Sequence, residues 1–430
     1  VSRTVITALT GAGESELVAS LGATSDYVVA RRCADLPDLL AAAAAGLGQV
    51  ALVSPDLRAL DRSALHELST HGLVVAGVTE PGDDLGERRL RQLGLAVVVR
   101  TDIASHELQD LLDGLVAQAG ATGVEPGAED DPDPGALPGS RRGLPRRADD
   151  DLPGPTDVPC RVIAVWGPTG APGRSTVALN LAAELAVHAP TLLVDCDTYG
   201  SSVAQALGLL DEAPGMAAAC RASDQGTLDL PALARLAPEV SPRLRVLTGV
   251  PRADRWTELR AASVEHVLTT ARRLATFVVV DCGFCVEDDE ELSYDTLAPR
   301  RNAATLVTLE CADELVVVGA GDPIGLQRLV RAVQDLAGLP SPTPRVVVNK
   351  VRASAVGARP ERRIAEALGR FAGMDDLAFL PHDQATVDGA MFAGKSLAES
   401  APASELRRAL VGLTEPYVAV APQHRRRRRR

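Results

Sequence analysis

The residues best placed to do chemistry lie in one stretch, VIAVWGPTGAPGRSTVALNLAAELA, at 162–186. Gly167, Gly170 and Gly173 punctuate a turn between an apolar run and a helical segment. Such a turn lets backbone N–H groups and a helix N-terminus converge on an anion. Arg174 follows the last glycine and can grip phosphate oxygens through two parallel N–H bonds. Ser175 stands where a hydroxyl holds Mg²⁺ beside a polyphosphate, and Thr176 follows it. The chemistry expected is recognition of nucleotide phosphates, ATP or ADP, with Mg²⁺. A dinucleotide-binding turn is the rival, and Asp195 would serve as its acidic residue about 20 positions on. The spacing here is GxxGxxG rather than GxGxxG, and Arg-Ser-Thr has no role in dinucleotide binding, so the phosphate-loop reading stands ahead.

Three other segments end strand-like runs with polar groups. LLVDCDTYG carries Asp195 and Asp197, alternate residues that share a side-chain direction while the strand lasts. FVVVDCG carries Asp281, suited to hold Mg²⁺ through water. VVVNKV carries Asn349, whose amide could read an adenine edge. Each alone is weak, since an Asp at a strand end often only caps the next helix. In an open parallel sheet all would meet in the crevice at the carboxyl ends of the strands, and that convergence is the stronger argument. Ser175, Asp195 and Asp281 are the candidate Mg²⁺ residues, directly or through water; Gly167, Gly170, Gly173, Arg174, Ser175, Thr176 and Asn349 are the candidate nucleotide contacts. Cys282 and Cys285 form one CxxC, but a zinc site wants a second ligand pair and none is evident, so inert thiols are expected.

The elements that must position these groups read as α/β throughout. Residues 1–120 alternate five apolar runs (TVITALT, DYVVARR, QVALVS, LVVAGVT, LAVVVRT) with five helical segments, predicting a parallel doubly wound sheet. Residues 121–159 are dense in Pro, Gly and Asp with almost nothing to bury, the composition of a disordered linker. Strand–helix alternation resumes over 160–420, with strands expected at RVIAVWG, TLLVDCD, RLRVLTG, TFVVVDCG, ELVVVGAG, RVVVNKV and DLAFLPHD, and Leu406, Leu410 and Leu413 on one face of a last helix. A polybasic tail, 421–430, ends in six arginines from Arg425 to Arg430. The net charge is −13, hence −19 without those six, which argues against broad non-specific binding to nucleic acid. Seven scattered cysteines suit a reducing cytoplasm. No apolar run approaches a membrane span, and the opening VSRTVITALTG lacks the apolar core of a secretory signal.

The order and length of the first 120 residues resemble a response-regulator receiver domain. That family places a phospho-accepting Asp at the end of the third strand; here Ser54 stands there, with Asp56 two residues late, and LTGAG after the first strand offers no carboxylate. Thr79 and Arg100 fall near the family's switch positions. Without clustered carboxylates there is no Mg²⁺ site, and the segment reads as a pseudo-receiver used for docking.

The second segment resembles the MinD/ParA group of P-loop ATPases, whose loop reads KGGxGK[ST]. On that pattern Thr169 replaces the signature lysine, Gly170 and Ala171 replace the glycine pair, and Arg174 replaces the P-loop lysine. The resemblance implies that Asp197 orients an attacking water if the site is active, and that Asp281 is the Walker B aspartate. A pseudo-receiver joined to a degenerate MinD-like domain is similar to the CpaE/TadZ branch of pilus and secretion loci and to actinobacterial septum-site-determining (Ssd) relatives, on GPTGAPGRST, VDCDTYGSSVAQALGL, FVVVDCG and MFAGKSLAESAPASELRRAL.

That likeness implies a cytoplasmic spatial regulator in pilus or secretion assembly or in septum siting. It would bind nucleotide as a switch with little hydrolysis, with protein partners from that machine, a homodimer, and peripheral contact with the inner membrane face through the terminal arginines. Each arginine near an anionic leaflet is worth ~1 kcal/mol. Thr169 is short and neutral, Arg174 is not a compact ammonium, and Pro172 removes an N–H from the cradle; phosphoryl transfer leans on each lost group. Two alternatives stay open: a working ATPase cycling on membrane or DNA, and a nucleotide-free scaffold.

Overall fold

A computed structural model describes residues 2–10, 13–24, 26–121, 159–209, 215–287 and 299–418. The expected linker lies almost wholly outside the described residues, and the terminal arginines entirely so. The chain divides into two compact units, one holding the first five strands and the other the remaining eight.

In the first unit the strands are β1 (Arg3–Ala8), β2 (Tyr27–Arg32), β3 (Val50–Val53), β4 (Val74–Thr79) and β5 (Val98–Arg100). They form a parallel sheet of order β2-β1-β3-β4-β5, with helices Glu14–Gly22, Leu36–Ala44, Arg62–Thr70, Asp84–Gln92 and Ser105–Ala121 between and after them. Successive strand side chains point to opposite faces. Val5 therefore packs with Leu17, Leu52, Leu108 and Leu112 on one face, while Ile6 packs with Leu39, Leu68 and Leu90 on the other. The middle strand β3 is buried along its whole length, as a strand covered on both faces must be. The five-strand, five-helix reading of this segment matches the architecture.

The second unit contains β6 (Arg161–Trp166), β7 (Thr191–Cys196), β8 (Glu239–Ser241), β9 (Leu244–Leu247), β10 (Phe277–Cys282), β11 (Glu314–Ala320), β12 (Pro344–Val351) and β13 (Leu377–Pro381), in the order β13-β12-β11-β6-β10-β7-β9-β8. Every pair is parallel except β8 with β9. All seven expected strands are present. The short antiparallel β8 had no expectation, because three partly exposed residues, Glu-Val-Ser, carry no periodic signal.

β6 lies between β11 on one side and β10 on the other, at the middle of the sheet, so the turn after β6 opens at the carboxyl edge where parallel sheets bind ligands. The helix leaving that turn, Arg174–Ala186, is buried from Val177 to its end, a central helix rather than a surface one. Leu406, Leu410 and Leu413 of helix Glu405–Val418 pack on the same side of the sheet, as their spacing predicted. Two polar groups on the central helix are fully engaged: Glu184 accepts from Arg407 at 2.6 and 3.2 Å, and Asn180 accepts from the Leu397 N–H at 2.7 Å. No helix among the described residues is long and apolar enough to cross a membrane.

Candidate functional site

The site is built by three neighbouring strand ends and one turn. β10 lies between β6 and β7, and its register places Asp281 directly opposite Asp195. The turn after β6 then folds over them. Gly167 is required by close approach: a Cβ there would sit 2.1 Å from the backbone oxygen of Val318. Gly173 is required by conformation, with φ +98° at the residue just before the helix begins. Ala171 keeps the left-handed backbone at φ +53° although it carries a Cβ, a sparsely populated conformation for a residue other than glycine.

Arg174 points inward. Its Nη1 donates to the Gly167 and Pro168 carbonyls at 3.2 and 3.0 Å, its Nε to the Cys282 carbonyl at 3.2 Å, and its Nη2 to Asp197 Oδ2 at 3.4 Å. The side chains of Arg174 and Asp197 are 11% and 7% exposed, so this ion pair is largely withdrawn from water. The guanidinium thus lies inside the turn, among loop carbonyls, where a phosphate would have to exchange for one of them.

The three aspartates have three different settings. Asp195 accepts from the Asp197 N–H at 3.2 Å and, through its other oxygen, from the Ser202 and Val203 N–H groups at 3.0 and 3.1 Å. Burial pushes its carboxyl up to about 6, against the pull of those N–H bonds. Its two oxygens together accept three N–H bonds from the backbone that follows, and so brace the turn. Asp197 accepts from the Tyr199 and Gly200 N–H groups at 2.9 and 3.2 Å besides pairing with Arg174.

Asp281 is different: it is fully buried and neither oxygen has a hydrogen-bond partner. Burial, with the charges of Asp195 and Asp197 added, holds it well above the usual carboxylate range. Ser175 lies near enough to favour its charged form without meeting hydrogen-bond geometry, and Arg174 acts in the same sense. A buried carboxylate without a hydrogen-bond partner is costly, and a bound cation would offset that cost. Among the described residues no group of three His, Cys, Asp or Glu could hold a metal by itself, so a cation here would take its other ligands from Ser175, water and the bound anion. The residues present fit Mg²⁺ on those terms.

A cleft of about 330 Å³ opens beside the turn, lined by Gly173, Ser175, Thr176, Asn349, Lys350 and Pro381 among others. That volume is within the range of small-molecule sites. Asn349 lies in it, but both ends of its amide are engaged: Nδ2 donates to the Pro172 carbonyl at 2.8 Å and Oδ1 accepts from the Lys350 N–H at 2.8 Å. In this structure it holds the loop, so adenine reading would require it to let go.

Several residues of the site had no sequence signal. Tyr199 and Phe284, from the turns after β7 and β10, pack as a tilted pair with ring centroids 4.6 Å apart. The Arg301 guanidinium lies 4.1 Å from the centre of the Tyr199 ring, and Tyr199 donates to Asn302 Oδ1 at 2.8 Å. Lys350 and Arg328 reach the loop from β12 and from helix Pro323–Leu336. Cys282 is buried and Cys285 half-buried, both free thiols, with Cys282 held well above its usual pKa by burial.

The corresponding edge of the first sheet is chemically quiet. Ser54, just past β3, is bonded by the Thr10 N–H at 3.0 Å and the Thr10 hydroxyl at 2.8 Å. Glu80, just past β4, accepts from the Gly13 N–H at 3.1 Å and the Thr101 hydroxyl at 3.4 Å. Thr79 is buried, Asp56 is exposed, and Arg100 pairs with Asp102.

Residues 163–392, more than half of the chain, match the CobQ/CobB/MinD/ParA nucleotide binding domain. Among solved structures, a ParA family ATPase from Chlorobium tepidum is 19% identical, covering 59% of this chain and 98% of its own at a TM-score of 0.49. The septum site-determining protein MinD from Pyrococcus horikoshii, complexed with Mg-ADP, is 18% identical over 60% of this chain and 96% of its own, TM-score 0.47. McdA(D38A) from Cyanothece, in complex with ATP, is 15% identical over 60% and 97%, TM-score 0.47. No curated protein matches the sequence. On the family match, this chain belongs to the CobQ/CobB/MinD/ParA nucleotide-binding family.

Proposed function

We propose that this chain is a nucleotide-operated spatial regulator of the CpaE/TadZ-like kind, acting in pilus or secretion assembly or in septum siting, and that it binds ATP or ADP with Mg²⁺ while hydrolysing little. The observation that carries the reading is the pairing of Arg174 with Asp197 beside an unpaired, buried Asp281. The loop N–H groups, Arg174 and the start of the central helix would hold the phosphates. Ser175 and Asp281 would hold Mg²⁺, which when bound neutralises charge on the polyphosphate. Asp281 then gains the partner it lacks, so ligand and metal favour each other.

Hydrolysis is a separate matter. Asp197, the residue that would orient a water, is tied by two backbone N–H groups and by the Arg174 cation. A carboxylate so engaged is a poor acceptor for a further water proton. Thr169 is exposed and neutral, and adds no charge where phosphoryl transfer needs it. In this reading residues 1–120 dock a protein partner, 121–159 link, 160–420 bind nucleotide, and the arginines at 421–430 add contact with an anionic membrane; a homodimer is the form that docks. The match of residues 163–392 to a nucleotide binding domain supports the choice of ligand.

The test is a pair of measurements on the full chain. A fluorescent ATP analogue with Mg²⁺ is expected to bind, and phosphate release is expected to be no faster than in Asp197→Ala. Release tenfold above that variant would make the chain a working ATPase. Absence of binding would make it a scaffold.

A further inference from the structure

Resting on the nucleotide-binding reading, we infer that Lys350 and Arg328 supply the outer-phosphate charge that the loop itself lacks. Residues 167–173 contain no charged side chain. Thr169, Gly170 and Ala171, the tip of the turn, are exposed. Two cations nonetheless come to that tip from elsewhere in the fold. Lys350 leaves the carboxyl end of β12 with φ +60° and sends Nζ to the Ala171 carbonyl at 2.7 Å. Arg328, on helix Pro323–Leu336, lies against Gly170 so closely that a Cβ there would be 2.1 Å from Nη1.

Neither cation is balanced. The neutral Ala171 carbonyl is the hydrogen-bond partner of Lys350 Nζ, and no carboxylate pairs with Lys350 or Arg328 among the described residues. Arg174, inside the same turn, is already paired with Asp197, so Lys350 and Arg328 are the cations at the loop tip that no carboxylate balances. Like charges brought together repel, and the arrangement is relieved by a shared anion. A nucleoside monophosphate, seated on the helix start, would not reach the loop tip; the distal phosphates of a di- or triphosphate would. Lys350 has only to exchange a carbonyl oxygen for a phosphate oxygen, and a charge-assisted bond is the stronger of the two. Gly170, in turn, is the residue that leaves room for Arg328. The ligand class is therefore a nucleoside polyphosphate, selected by its distal charge.

The experiment uses the full chain, fluorescent analogues of AMP, ADP and ATP, and inorganic tripolyphosphate as competitor. Lys350→Gln keeps a donor for Ala171 and removes the charge; Arg328→Gln does the same at its site; Lys350→Arg restores charge. Arg328 is exposed and Lys350 half-buried, and melting temperatures check that the variants fold. The wild type is expected to bind ATP and ADP well above AMP, with tripolyphosphate displacing them. Each glutamine variant should lose about tenfold for ATP and far less for AMP, and Lys350→Arg should recover most of it. Wild-type ATP binding that survives both glutamine substitutions unchanged would overturn this inference and leave the nucleotide reading standing. A wild type that binds neither nucleotide nor tripolyphosphate would overturn both.

Discussion

Two sheet edges in one chain occupy the same architectural position and hold opposite chemistry. At the carboxyl edge of the first sheet, Ser54 and Thr10 satisfy one another, and Glu80 is closed by Gly13 and Thr101. At the carboxyl edge of the second, Asp281 is buried without a partner and cations gather round the turn. Open parallel sheets offer this edge as a binding crevice whatever lines it. The difference shows that the fold provides a place and that the balance of unsatisfied groups decides whether the place is used. A satisfied edge stabilises; an unsatisfied one stores free energy that a ligand can release.

The comparison can be broken most severely at its glycines. Gly167→Ala drives a Cβ to 2.1 Å from a backbone oxygen, which cannot rotate away, and is expected to cost ~3 kcal/mol or more in chemical denaturation. Gly13→Ala meets the side chains of Thr101 and Glu80 at 2.6 and 2.7 Å, which can give, and is expected to cost ~1 kcal/mol. Equal costs would mean that the second edge is no more rigid than the first.

Next in size is a pair of opposite signs. Asp281→Asn removes a buried, unpaired carboxylate and is expected to stabilise the nucleotide-free protein by about 2 kcal/mol, while abolishing any Mg²⁺ dependence of nucleotide binding. Ser54→Ala breaks a satisfied pair and is expected to destabilise by about 1 kcal/mol. Thermal unfolding of the two variants beside the wild type measures both.

The pH dependence is smaller. Asp195 is held at about 6 when folded against 3.8 as its ordinary value, and Asp281 is shifted the same way. A carboxyl raised by folding takes up its proton in the folded state first. The penalty is full above the folded value and is relieved as pH falls toward the unfolded one. Stability is therefore expected to rise by roughly 1 kcal/mol between pH 7 and pH 5 from Asp195 alone, with a further rise from Asp281 that should vanish in Asp281→Asn. A rise unchanged in that variant would place its origin elsewhere. The smallest effect expected is none: acetyl phosphate with Mg²⁺ should leave the first unit unmodified by intact-mass measurement, because Ser54 is neutral and Asp56 is out in solvent.

Much of this site could be read from residue types, because its parts sit at strand ends and strand ends are marked by where apolar runs stop. Asp195, Asp197 and Asp281 announced themselves in that way, and the glycines marked the turn. What the sequence concealed were side-chain allegiances. Nothing in VDCDTYG distinguishes Asp195, spent on three N–H groups, from Asp197, paired with Arg174; the turn after β7 decides it. Asn349 looked free to read a base and instead holds Pro172 and the Lys350 N–H. Arg328 lies more than 150 residues along the chain from the loop it touches, on a helix that also carries Arg331, so no spacing rule singles it out. The first unit's sheet was legible for the ordinary reason that its apolar runs are short, regular and separated by amphipathic helices.

The most direct test of the central claim is titration calorimetry of ATP into the full chain, with and without Mg²⁺, for the wild type and Asp281→Asn. The account predicts that the wild type binds, that Mg²⁺ tightens binding, and that Asp281→Asn binds alike in both conditions. Binding by Asp281→Asn that retains the wild-type Mg²⁺ dependence, or a wild type indifferent to the metal, would contradict it.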